Sequence, residues 1–260
     1  MTFAREADLC SAFLALVPDG WLAYAETGGF DILLVRKEDG LQIGVQAKLR
    51  LNAKVLCQAL ETGRASAITD PNSDCRAVLV PKGAVGADMA KLCAHLGLTV
   101  IGVDPGRPAR FSPDLPRLKQ DGEGRVWFEQ GPSRRIPLPD FIPDVIAGAP
   151  APRKLTAWKI KAMRISVTLE REGRVVREDF KHHKVDIRRW IAPGSRWLVR
   201  EGDGWNRGPK LPDFQAQHPQ NWSQIAATYH TWRRPSPEVA KTVATPRRSR
   251  EDREAGPPFY

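Results

Sequence analysis

The chain has 260 residues, 42% of them hydrophobic, and carries a formal net charge of +10. That length allows two ordinary domains, and that apolar content excludes wholesale disorder. The charge is uneven: residues 1–104 sum to −2, residues 153–234 to +10, and the two remaining stretches to +1 each. A local excess of that size attracts polyanions, so nucleic acid is the expected partner of the later segment. The apolar run Cys10–Val17 is too short to span a bilayer, and no leader-like cleavage pattern follows it. The four cysteines, at 10, 57, 75 and 93, contain no C-x-x-C pair. Buried free thiols in a reducing, cytoplasmic setting, with no membrane partner, are therefore expected.

In chain order, residues 3–17 have the spacing of an amphipathic helix, stopped by Pro18-Asp19-Gly20. Three strand-like runs follow, Trp21–Glu26, Phe30–Lys37 and Leu41–Arg50. Gly28-Gly29 and Asp39-Gly40 separate them, and both dipeptides favour two-residue hairpin turns. A helix over Asn52–Thr62, a strand over Arg76–Val80, a helix near Gly86–Leu96 and a strand over Leu98–Val103 complete an αβββαβαβ order. Ten of the 22 prolines fall in 105–152, which reads as a semi-rigid linker or a surface-packed arm, with one short strand-like run at Arg125–Gln130. Helices are expected over Thr156–Glu170, Arg177–His183 and Asp186–Ile191, then a small hairpin from Arg196–Glu201 and Trp205–Arg207. Helices followed by such a hairpin make a winged-helix-like α+β domain. The domain reading is thus 1–104, a 105–152 arm, 153–234, and a polar tail, 235–260, expected to be disordered.

The chemistry lies in the second hairpin. With a two-residue turn at Asp39-Gly40, paired positions sum to 79, so Asp31 falls opposite Lys48 and Leu33 opposite Gln46. Opposed and alternate residues share a face, so Asp31, Gln46 and Lys48 point one way. Phe30, Ile32, Leu34, Val45, Ala47 and Leu49 form the apolar opposite face. A two-residue turn at Gly28-Gly29 makes pairs sum to 57 and adds Glu26 opposite Asp31. Carboxylate and amide oxygens are hard ligands for Mg²⁺ or Mn²⁺, and a neighbouring lysine can steady developing negative charge or orient water.

These residues carry a resemblance. An αβββαβ order with Asp31 on one hairpin strand and Gln46-Ala47-Lys48 on the next resembles the PD-(D/E)XK nuclease superfamily over residues 3–103. The resemblance implies a restriction-endonuclease-like α/β core and Mg²⁺-dependent endonuclease activity on DNA. It makes Asp31 a metal-binding acid, Gln46 the residue standing where most members carry an acid, and Lys48 the catalytic lysine. Glu6 on the first helix, or Glu26, completes the metal site, and Gln58 matches a polar residue some members use nearby. The two-part architecture is similar to nuclease subunits of heteromeric transposases, and allows a homodimer or an activating partner subunit. Gln46 also keeps a second reading open, a nuclease-fold protein that binds DNA without cutting it. A third is a scaffold whose basic domain meets acidic proteins.

In the basic segment, Lys181, Lys184, Arg188 and Arg189 fall on or beside the two short helices, and Arg196, Arg207 and Lys210 on or near the wing. They are the expected DNA contacts, with Arg177, His182, His183 and Arg200 in the same clusters. The His182-His183 pair reads as surface. Trp158, Trp190 and Trp197 read as core anchors, and Trp205, beside a glycine-rich tip, as the exposed one.

Overall fold

The computed structural model describes residues 3–52, 56, 70–117, 126–149 and 154–235. The protein is mixed α/β. Contacts divide it into two units, Met1–Met163 with Asp213–Gln224, and Arg164–Pro212 with Ile225–Tyr260. The division therefore falls inside a helix, α3 (Ala157–Glu172), and each unit uses two separate stretches of chain.

The first unit opens with α1 (Glu6–Leu14), followed by β1 (Trp21–Ala25), β2 (Ile32–Arg36) and β3 (Gln42–Ala47). Then come β4 (Cys75–Pro81), α2 (Ala87–His95), β5 (Thr99–Asp104) and β6 (Arg110–Ser112). The six strands form one sheet in sequence order. β1, β2 and β3 pair antiparallel, β3–β4 and β4–β5 parallel, and β6 returns antiparallel along β5. β6 carries no pattern longer than three residues, which is why the Pro-rich stretch concealed it. Of the helix expected over Asn52–Thr62, Asn52 and Leu56 are described, the Leu56 N–H donating to Asn52 O at 3.1 Å; the rest, including Gln58, and the tail 236–260 lie outside the described residues. No strand forms over residues 126–130.

Both hairpin registers are fixed by their turns. At Gly28-Gly29 both residues have positive φ, 65° and 86°, and the Glu26 N–H donates to Asp31 O at 2.9 Å. Glu26 thus faces Asp31, as the two-glycine turn requires. The second turn differs from expectation. Arg36 N–H donates to Leu41 O, so four residues, 37–40, make the bend, and pairs sum to 77 with Ile32 opposite Val45. The reason is local: the Asp39 carboxylate takes Arg36 Nε and Nη2 at 2.8 and 2.6 Å and the Leu41 N–H at 3.1 Å, which closes a wider loop. A slip of two residues preserves side-chain parity, so the alternation survives while the partners change.

The apolar assignment needs two corrections. β2 is buried along its whole length, so both sheet faces are covered. Ile32, Leu34, Ile43, Val45 and Ala47 pack with Leu9, Cys10 and Phe13 of α1. Phe30 belongs to the other side, with Leu33, Val35, Tyr24 and Ile136. Its ring sits over Gly44, where an added Cβ would come within 2.3 Å of Phe30 Cζ.

The 126–149 stretch lies along this sheet as an arm. Gln42 is 3% exposed, and its amide pairs with both backbone groups of Ile136 at 2.9 Å, as a strand neighbour would. Arg135 Nε meets Asp74 Oδ2 at 2.8 Å. Asp144 accepts the Gln220 and Asn221 N–H groups with Oδ2, while its Oδ1 lies 3.0 Å from Nδ1 of the buried His218.

In the second unit α4 (Arg177–His182) and the single-turn α5 (Arg188–Ile191) precede the hairpin β7 (Leu198–Glu201) and β8 (Gly204–Arg207). Trp190 is fully buried and meets Phe180 and Trp197 edge-on, with ring centroids 5.4 and 5.3 Å apart. Trp205 is buried, not exposed, because its backbone bridges Val175. His183 is likewise buried, whereas His182 is exposed. Three helices were not foreseen: α6 (Phe214–Gln217), α7 (Pro219–Ala227) and α8 (Tyr229–Trp232).

Gly44→Ala should destabilise the protein by about 1–3 kcal/mol, the usual cost of overpacking a tight interior. Phe30→Leu should recover part of that loss in the double variant, a coupling that urea unfolding of the four proteins measures. Additive effects would mean that the ring does not occupy the Gly44 position.

Candidate active site and basic surface

The candidate active site lies where the first hairpin and β3 end against the start of α1. The ladder between β2 and β3 stops at Ile32–Val45. One residue further, the Asp31 side chain replaces the ladder: its Oδ2 accepts the Ala47 N–H at 2.8 Å. Asp31 therefore faces Gln46 by register, with Glu26 on its other side. Gln46 donates its amide NH₂ to Gly29 O at 2.8 Å, so its carbonyl oxygen is the end available to a cation. Beyond β3 the Lys48 N–H continues the parallel pairing to Leu79 O at 2.8 Å. Lys48 is not the cross-strand partner of Asp31. Its ammonium meets Glu6 Oε2 of α1 at 2.9 Å, with both side chains about a quarter to a third exposed.

Asp31, Glu6, Glu26 and Lys48 are close enough to act on one another electrostatically. Burial, the largest effect, raises the Asp31 carboxyl above its ordinary value. The Ala47 N–H and the charges of Lys48 and Lys154 pull it back, and Glu6 pushes it further up. Burial also raises Glu26, opposed by the Gly148 N–H and helped by the charge of Asp31. Cys10, beneath the same cluster, is pushed up to about 12, first by burial and then by Asp31, Glu6 and Glu26.

No family model, no curated protein and no solved structure matches this chain. The site is therefore judged on its own chemistry. Among the described residues, no group of three or more His, Cys, Asp or Glu side chains is arranged to hold a metal ion. Glu6 is occupied by Lys48, and Glu26 by the Gly148 N–H at 3.0 Å. Mg²⁺ does not demand such a cage. It keeps several waters and is commonly held by one or two carboxylates together with substrate phosphates. The hard oxygens of Asp31, Gln46 and Glu6 suit that mode of binding.

Two contributors escaped the sequence analysis, Gly148 and Lys154. Gly148 lies in the proline-rich stretch, 122 positions from Glu26, and it reaches the site through a backbone N–H that no motif encodes. Lys154 carried only the signal of opening the basic segment.

The second unit presents its own cations separately. Lys181, Lys184, Arg188, Arg189, Arg196, Arg207 and Lys210 are all exposed. Arg188 is paired with Asp186 at 2.8 Å, Arg189 lies 5.6 Å from the Trp197 ring centroid, and Lys210 Nζ donates to Gly194 O at 3.3 Å. Lys184 and Arg196 have positive φ, 53° and 44°, at the two ends of the α5 region. Lys184 holds the position after α4 where glycine is usual: its N–H donates to Lys181 O, and that of Val185 to Phe180 O. A side chain there costs of order 1 kcal/mol relative to an unstrained backbone.

Asp31→Asn tests the half-buried carboxylate. A carboxyl raised in the folded state contributes stability while it holds its proton, and that contribution is lost as pH rises through the raised value. Asparagine keeps an oxygen for the Ala47 N–H and never ionises. The variant should melt above the parent at pH 7, and the gap should close in acid below the ordinary aspartate range. A lower melting temperature at pH 7 would contradict the burial argument.

Proposed function

We propose that the protein is a metal-dependent DNA endonuclease whose hydrolytic site is formed by Asp31, Gln46, Lys48 and Glu6. The observation that carries this reading is the half-buried Asp31 carboxylate held on the Ala47 N–H, one residue from Gln46 and near the Lys48–Glu6 ion pair. In this reading the first unit is a restriction-endonuclease-like core of the PD-(D/E)XK kind, with glutamine in place of the second acid. A bound Mg²⁺ or Mn²⁺ would neutralise charge on the phosphodiester and acidify an attacking water. Asp31 is fixed by the Ala47 N–H, so its second oxygen is oriented without further reorganisation. Glu6 would help hold the cation, and Lys48, its ion-pair partner, would supply positive charge to the scissile phosphate. Glu26 is the other nearby acid, but its partner is a backbone N–H outside the site, whereas the partner of Glu6 is Lys48, itself a member of it.

The helices α4 and α5 with the β7–β8 hairpin are read as a winged-helix-like element that positions DNA through Lys181, Lys184, Arg188, Arg189, Arg196, Arg207 and Lys210. The strained backbone at Lys184 and Arg196 supports this. Glycine would remove the strain, so the side chains themselves are what those positions retain.

A second reading is favoured by the neutral Gln46 and by the ion pairing of Glu6: a protein of the same fold that binds DNA without cleaving it. Plasmid nicking in Mg²⁺ or Mn²⁺ separates the two. Cleavage should fall by about 10²-fold or more in Lys48→Ala, the scale on which a group stabilising transition-state charge acts. Cleavage by the parent and the variant at equal rates would remove this site from consideration, and no cleavage by either would leave the binding reading.

Lys184→Gly should change stability by less than about 1 kcal/mol, because relieved strain offsets the added freedom of the unfolded chain. It should nevertheless weaken duplex DNA binding and lower the slope of log K against log salt by about 1. An unchanged slope would exclude Lys184 as a phosphate contact.

A further inference from the structure

The arm that crosses the first unit ends against the proposed site in a way the proposed chemistry does not need. Glu26 Oε1 accepts the Gly148 N–H at 3.0 Å. Glu26 holds positive φ, 53°, which a non-glycine residue adopts at a cost, and Gly148 holds positive φ, 68°. Gly148 is also pressed onto α1: an added Cβ would lie 2.9 Å from Cys10 Sγ, 3.2 Å from Glu6 C and 3.3 Å from Glu6 O. One glycine therefore touches, at once, the end of β1 and the first turn of the helix that carries Glu6. Further back, the arm is anchored by Gln42 on Ile136 and by Asp144 on the start of α7.

We propose that Glu26 and Gly148 form a clasp, in which Glu26 is a positioning residue rather than a metal ligand, and the arm holds the first turn of α1 so that Glu6 stands at the site. The proposal rests on the endonuclease reading for its purpose, but its geometry is independent of it. The clasp also accounts for the strain at Glu26. The bent backbone aims a carboxylate at the arm, and the hydrogen bond to a charged acceptor, worth more than a neutral one, repays the conformation.

The test uses the full chain and three readouts: melting temperature, Mn²⁺ affinity by calorimetry, and alkylation of Cys10 measured by peptide mass spectrometry, with the buried Cys75 as internal reference. Glu26→Gln keeps an acceptor oxygen for the Gly148 N–H. It should leave Cys10 protected and Mn²⁺ affinity within about twofold of the parent. Glu26→Ala loses the acceptor, and should expose Cys10 at least tenfold faster and lower the melting temperature. Gly148→Ala should do the same and weaken Mn²⁺ binding about tenfold while leaving Asp31 untouched. If Glu26→Gln weakens Mn²⁺ binding as severely as Asp31→Asn does, with Cys10 still protected, Glu26 is a ligand and the proposal fails. If Glu26→Ala leaves Cys10 protected and melting unchanged, there is no clasp. If the parent binds no Mn²⁺ but Cys10 responds as described, the clasp stands and the metal-site reading falls. Should Gly148→Ala fail to fold, the Gln and Ala variants at Glu26 decide alone.

Discussion

The hydrogen bond from the Ala47 N–H to the Asp31 carboxylate is the contact on which the proposed site in the first unit depends. A backbone donor at the end of a sheet needs a partner, and a half-buried carboxylate needs a donor. Each solves the other's problem at the point where the β2–β3 ladder runs out. The carboxylate thereby becomes both the last rung of the hairpin and the central acid of the proposed site. Its raised pKa is the cost of that position, because burial outweighs the donor and the nearby lysines.

Backbone strain marks the same regions. Among the described residues, the non-glycine residues with positive φ are Glu26, Lys184 and Arg196. Each is charged, and none is a residue type that adopts this conformation readily. Glu26 binds Gly148, and the two cations flank α5. Glycine would adopt the same backbone at each without strain.

The arm changes how the first unit is understood. A proline-rich stretch has few backbone donors and few regular ladders, so it docks through side chains and isolated backbone groups. Gln42 imitates a strand edge for Ile136, Asp74 takes Arg135, and Asp144 takes the N–H groups that open α7. These anchors bring Gly148 across 122 residues to the hairpin end. The proposed site thus draws on an N-terminal helix, three strands and a much later segment of chain.

The sequence alone determined the order of the first five strands, and also the Gly28-Gly29 register and the facing of Glu26 by Asp31, because two glycines with positive φ leave one tight turn to make. It also determined the parity of the second hairpin, since alternation has a period of two and the actual slip was an even number of residues. The partner of Asp31, the ion pair of Lys48 with Glu6, the burial of Trp205 and His183, and the approach of Gly148 were decided only in three dimensions. The physical reason is range. Turn chemistry and alternation act over two to four residues and are written in adjacent letters. A wide loop closed by Asp39, or a glycine chosen because Cys10 and Glu6 stand against it, answers to atoms that only the folded chain brings near.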